Sequence, residues 1–244
     1  MSPDSFITKR RVLLLLSITS VLGFALLLAV FRFGPGLAGR MMFYPSPPAL
    51  PPEIQTDVTN LLAQLELELQ TKAPQGLAEL KPGLSPEAIL EIERKHGLTL
   101  PPDIRALYQW RNGQPSGSTN EIIPGHYFQS LEDAVMINKM TQPRGVLDEF
   151  ILGHQRGWLP IFGDGASDGY FLDTAKTAKP GHFFYHMAED SHYIYFTSFR
   201  NFLAGLNECY AQNIIRYDPA EQVLTEDYQR SQQVWSKYAT DVQP

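Results

Sequence analysis

Apolar positions change their spacing three times along the chain. From Val12 to Phe31 twenty residues carry no charge, and only Ser17, Thr19 and Ser20 interrupt the apolar run. A helix of that length rises about 30 Å, the thickness of a bilayer's hydrocarbon core. Its three hydroxyls can bond back to carbonyls of the preceding turn. Residues 12–31 therefore predict one N-terminal transmembrane helix behind a basic tail at 1–11. The run exceeds the usual apolar stretch of a cleaved signal peptide, and only Gly36-Leu37-Ala38 approaches a cleavage site. Prolines at 45, 47, 48, 51 and 52 then make residues 32–56 an extended stalk.

Beyond Asp57 the spacing becomes helical. Val58, Leu61, Leu62, Leu65 and Leu69 share one face of a helix over 58–71, with Asp57 as its cap, and a short helix follows near 75–80. Ser85, Pro86 and Glu87 start another, with Ile89, Leu90 and Ile92 as its apolar stripe and Gly97 as its stop. Pro101, Pro102 and Asp103 open a helix carrying Ile104, Leu107, Tyr108 and Trp110, closed by Asn112-Gly113. Ser130 with Asp133 begins one reaching about residue 140, and a shorter helix covers 146–154.

The period then shortens. Trp158–Phe162, Asp168–Leu172, Gly181–Met187 and His192–Phe196 are aromatic-rich runs separated by Gly, Asp and Ser, the pattern of antiparallel strands. Ser198 returns the chain to helix through Phe199, Phe202, Leu203, Leu206 and Tyr210. A last helix starts after Thr225, with Glu226 and Asp227 in its first turn, and ends at Tyr238. The fold class is α+β: a central antiparallel sheet flanked by helices in one domain over 57–244.

Composition changes this picture mainly through charge. The net charge of −6 divides unevenly: residues 1–40 sum to +4, whereas residues 41–244 hold fifteen basic and twenty-five acidic groups, net −10. An acidic body repels phosphate backbones, so nucleic acid is excluded as a partner and a basic protein is favoured. Lys9, Arg10 and Arg11 precede the apolar span and Arg32 and Arg40 follow it, a bias that places the body outside the cytoplasm.

Three segments, in order, resemble the SUKH superfamily. The first runs from Leu84 through Glu93, Gly97, Leu100 and Pro101 to Trp110, Asn112 and Gly113. Trp158, Pro160, Gly163, Asp164, Gly165 and Asp168 make the second, and Ser198, Phe199, Phe202 and Leu203 the third. That superfamily holds fungal Smi/Knr-type regulators of cell-wall assembly and bacterial proteins that confer immunity to toxins. The resemblance implies an α+β binding fold without an active site. A span and stalk depart from its plain cytosolic pattern.

Candidate chemistry is weighed against structural duty. Asp164 to Asp173 has the outline of a calcium loop, but Ala166 and Ala175 stand where oxygen donors belong, so Asp164 and Asp168 read as turn residues between strands. His182, His186 and His192 with Glu189 and Asp190 are the densest group of metal-ligating types. On a strand, His182 and His186 stand about 13 Å apart, too far to share an ion. Cys209, the single cysteine, reads as a packed thiol. Glu93, one turn before Gly97, is placed to reach the free N–H groups of the helix opened by Pro101. Asp148, Glu149, Glu189 and Asp190 are candidates for an acidic patch that captures a basic partner. No G-x-S-x-G, phosphate-binding or H-E-x-x-H motif is present. The function expected is a non-enzymatic, cofactor-free, membrane-anchored module that binds a toxin, or alternatively an envelope component whose assembly it scaffolds. A metal-dependent hydrolase built on the His182–His192 region is the competing class.

Overall fold

The computed structural model describes residues 57–142, 157–165, 168–174, 182–187, 192–196 and 198–242. The basic tail, the 12–31 span, the stalk, the helix expected over 146–154 and the four acidic candidates Asp148, Glu149, Glu189 and Asp190 lie outside the described residues. Among those described, no helix is long and apolar enough to cross a membrane.

Four helices come first: α1 (Val58–Lys72), α2 (Pro74–Glu79), α3 (Pro86–His96) and α4 (Pro102–Trp110). All five apolar positions of the expected α1 stripe are buried. Asp57 precedes α1 as expected, but its backbone carbonyl, not its side chain, receives the Leu61 N–H. Ser85 caps α3 by accepting the Ala88 N–H at 3.2 Å, and Gly97 ends it at φ +65°, a left-handed conformation that favours glycine. Leu90 corrects the reading: it is 54% exposed, because only Ile89 and Glu93 of α3 turn fully inward.

The chain then enters the sheet through β1 (Tyr127–Phe128), passes through α5 (Leu131–Thr141), and forms β2 (Trp158–Gly163), β3 (Gly169–Asp173), β4 (His182–Met187) and β5 (His192–Phe196). After α6 (Phe199–Ala211) come the hairpin β6 (Ile215–Asp218) and β7 (Val223–Glu226), α7 (Tyr228–Tyr238) and β8 (Ala239–Val242). The main sheet has six strands in the order β1-β2-β3-β4-β5-β8, every pairing antiparallel. β1, β8 and the hairpin were not anticipated, and the start of α7 shifts: Glu226 ends β7, while Asp227 caps the helix by accepting the Arg230 N–H.

Alternation along the strands gives the sheet two aromatic faces. Phe162, Tyr170, Phe183 and Phe196 meet Phe202 of α6 at ring separations of 4.8–5.7 Å. Trp235 of α7 stacks on the same Phe202, 5.8 Å away and nearly parallel. Gly205 permits that approach, since a Cβ there would stand 2.4 Å from the indole. On the opposite face Trp158, Phe171 and Phe184 form a second buried cluster. His186 is buried beside them, its ring 5.2 Å from Trp158. The strand assignment of His182 to Met187 stands, so the i, i+4 histidines lie along one extended segment.

Candidate functional site

The structure gives most of the motif residues a mechanical task. Glu93 is 5% exposed, and its Oε1 accepts the Leu100 N–H at 2.6 Å and two Arg105 N–H groups at 2.9 and 3.2 Å. The carboxylate was expected to reach the first N–H groups of α4, and here the expectation is corrected. Pro101 and Pro102 have no N–H to offer, and the backbone donor that Glu93 receives is Leu100, ahead of both prolines. Asp103 serves its own neighbour by accepting the Ile104 N–H. Arg105, one turn into α4, supplies the countercharge that the sequence reading missed.

Asn112 and Gly113 join three segments. The Asn112 Oδ1 accepts the Leu131 N–H that opens α5, its Nδ2 donates to Glu132, and its backbone N–H donates to the Lys81 carbonyl. Gly113 has φ +73°, and a Cβ would lie 2.3 Å from the Ser130 nitrogen. Trp110 donates its indole N–H to Glu66 of α1 at 2.6 Å, and Arg111 pairs with the same carboxylate at 2.7 Å. Only the folded chain shows that partner, since Glu66 lies 44 residues upstream of Trp110.

The sheet motif is equally structural over much of its length. Trp158 fills the second aromatic cluster, and its carbonyl accepts Asn138 of α5 at 2.6 Å. Pro160 is tolerated inside β2 because β1 pairs only with Phe162 and Gly163, and a bulge separates Pro160 from Phe162. Ser198 caps α6 by accepting the Asn201 N–H, and Phe199 is buried behind it.

The remaining motif residues behave differently. Asp164 and Gly165 are exposed in the β2–β3 turn, where the Asp164 N–H donates to the Asp168 carbonyl at 3.2 Å and Gly165 takes φ +87°. The Tyr127 hydroxyl lies 3.5 Å from the position a Gly165 Cβ would occupy. Beneath the turn stand Tyr170 and Tyr185, their rings 4.8 Å apart, with the His126 ring 5.2 and 5.5 Å from them. Burial pushes the Tyr185 hydroxyl up to about 12, and Asp168, Asp164, Tyr228 and Glu226 add to the rise in that order. The turn and β4 thus bring tyrosines and carboxylates to one end of the sheet. Tyr228, at the start of α7, is 69% exposed. The sequence reading selected Asp164 and Asp168 but missed His126, Tyr127 and Tyr185. A hydroxylated ring at Tyr185, where Phe183 precedes it on the same face, was the available signal.

A small groove of about 60 Å³ runs between the start of α2 and the β6–β7 hairpin, lined by Pro74, Gly76, Tyr217 and Leu224 among others. Among the described residues no three His, Cys, Asp or Glu side chains are placed to share a metal ion. Cys209 is fully buried, and burial pushes its thiol up to about 12 with Glu226 and Glu208 adding to the effect, which removes thiolate reactivity at neutral pH.

Residues 83–205, half of the chain, match the SMI1 / KNR4 family (SUKH-1), and the chain belongs to it. No curated protein matches the chain. The matched region starts just before α3 and ends within α6, so α1, α2, the hairpin, α7 and β8 lie beyond it. Members of the family are in general non-enzymatic immunity or regulatory proteins, and their domains bind protein partners such as toxins.

Proposed function

We propose that the protein is a non-enzymatic binding module, anchored in a membrane through residues 12–31 with its body outside the cytoplasm, and that it neutralises a toxin by covering the toxin's surface. The observation that carries this reading is the division of labour within the family motif. Glu93, Trp110, Asn112 and Gly113 are engaged in joining segments and Ser198 in capping α6, while Asp164 and Asp168 sit at the surface end of the sheet. The body's net charge of −10 supports a basic partner.

The test is co-expression of the full-length chain with toxins encoded by neighbouring genes. Restored growth against one of them is the expected result. Failure against every linked toxin removes the immunity reading and leaves the scaffold of envelope assembly, for which altered cell-wall morphology on deletion is the readout. Anchorage is tested separately: the full-length chain should resist carbonate extraction, and protease added to intact spheroplasts should digest its body.

A further inference from the structure

The groove between the start of α2 and the β6–β7 hairpin is small, about 60 Å³, and its lining is mostly apolar. Pro74, Tyr217 and Leu224 wall it, Val223 lines it while 45% exposed, and Gln222 adds an amide. Both α2 and the hairpin lie outside residues 83–205, so the family domain alone does not build this feature. An exposed path leads to it along α1. Ala63, Leu67 and Gln70 follow one another at intervals of four and three residues, which puts them on one helix face, and all three are exposed. Leu67 is 63% exposed there, a large apolar side chain on the way from Asp57 to Ala73 and Pro74 at the groove.

We propose that this groove is the seat of the chain's own proline-rich segment, residues 47–52, laid back along α1 as a strap. Length selects that occupant first. The segment leads into Asp57, where α1 begins, and α1 rises about 24 Å from there to Ala73. A polyproline chain at 3.1 Å per residue covers about 28 Å from Asp57 back to Pro48, so Pro47 and Pro48 arrive at the groove. Pattern selects it second. With three residues per turn, Pro48, Pro51 and Ile54 fall on one face, apolar throughout, which suits the path over Leu67. Chemistry agrees, because a proline-rich strand has carbonyls without intrachain donors, and aromatic-lined grooves receive such strands. Tyr217 and Gln222 carry the phenol and the amide that can donate to those carbonyls. A short tether also sets the local concentration of the segment on the order of millimolar, so weak contacts suffice to hold it.

The inference goes beyond the toxin-binding reading and does not depend on it. The first experiment uses the full-length chain in detergent with Pro48→Cys and Val223→Cys, oxidised by glutathione disulfide and read on a non-reducing gel. Cys209 is fully buried and takes no part. The pair should crosslink within one chain at least about tenfold faster than Pro48→Cys with Glu87→Cys on exposed α3. Equal rates would overturn the strap, and a disulfide between two chains would assign the groove to a second copy instead. The second experiment adds a fluorescent peptide of residues 44–56 and reads anisotropy. A full-length chain with residues 45–56 replaced by glycine and serine should bind the peptide about tenfold tighter than the wild type, whose groove is already filled. In that replaced chain Val223→Asp should weaken the peptide about tenfold and Leu67→Gln about twofold. Both positions are exposed, so the fold tolerates the changes, and circular dichroism checks it. Equal peptide affinity for the wild-type and replaced chains would show a groove open to a partner's proline-rich segment and overturn the strap. Unaltered affinity in Val223→Asp would place the peptide elsewhere and overturn it too. Failure of toxin rescue leaves all of these readouts unchanged, so the two readings fail separately.

Discussion

The helical region before the sheet and the sheet itself are stabilised by different kinds of contact. Between α1 and α5, buried junctions depend on single directional bonds: Glu93 to Leu100 and Arg105, Asn112 to Leu131, and the buried Gln114, which accepts the Phe128 N–H and donates to the Asn120 carbonyl. The sheet satisfies its backbone through its own ladder, so its side chains are free to be aromatic. Phe162, Tyr170, Phe183, Phe196 and Phe202 meet in one layer. Connections that pass through the interior need polar side chains to receive their N–H groups, whereas paired strands do not. Exchange of one apolar group for another should therefore be tolerated in the sheet and have no counterpart at the helix junctions.

The largest expected effect acts on both regions together. Burial raises the hydroxyl pKa of Tyr108 and Tyr210 in the helices and of Tyr170 in the sheet, while Tyr185 and Tyr238 reach about 12. A raised folded-state pKa means that this stability is intact below the unfolded value of about 10 and is lost as pH rises through the folded value. Urea midpoints should hold up to about pH 10 and collapse towards about pH 12, with tyrosinate absorbance and far-UV circular dichroism changing in one transition. Separate transitions would show that the two regions are independent.

Within the helical region, Gly113→Ala should cost roughly 4 kcal/mol, since it combines a positive φ with a Cβ driven into the Ser130 backbone, and urea denaturation reads it directly. Glu93→Gln keeps the shape but removes the charge facing Arg105, and a loss of about 2–3 kcal/mol is expected. In the aromatic layer, Phe202→Leu should cost only about 1–1.5 kcal/mol, because a neighbouring apolar shape refills most of the site. A larger loss there than in Glu93→Gln would break the contrast. Smallest of all, Leu90→Gln should stay within about 0.5 kcal/mol of the parent, as fits a side chain 54% exposed.

Periodicity made the elements legible where side chains face one core. The stripe of α1, the caps at Ser85, Ser130 and Ser198, and the four central strands were all readable, because capping and alternation are local properties. Leu90 misled because an apolar residue beside a buried stripe need not join it. The short strands at the sheet's edges escaped notice for a different reason: Tyr127–Phe128 and Ala239–Val242 acquire strand geometry from β2 and β5, not from their own pattern. The candidate site was only half visible. Asp164 and Asp168 announced themselves through the glycine-rich turn, but Tyr127 reaches it from β1, and nothing in its local sequence says so.

The position of β8 bears on how the chain is made. The sheet's last strand is also the end of the described chain, and α1 at the opposite end is tied to α6 through the Asn207 side chain on the Leu61 carbonyl. During synthesis the outer edge of β5 stays unpaired, and α1 waits without its partner, until nearly the whole domain has emerged from the ribosome. Completion of the sheet is thus deferred until residues 239–242 have emerged, and a ribosome stalled before residue 239 holds a nascent chain with an open strand edge.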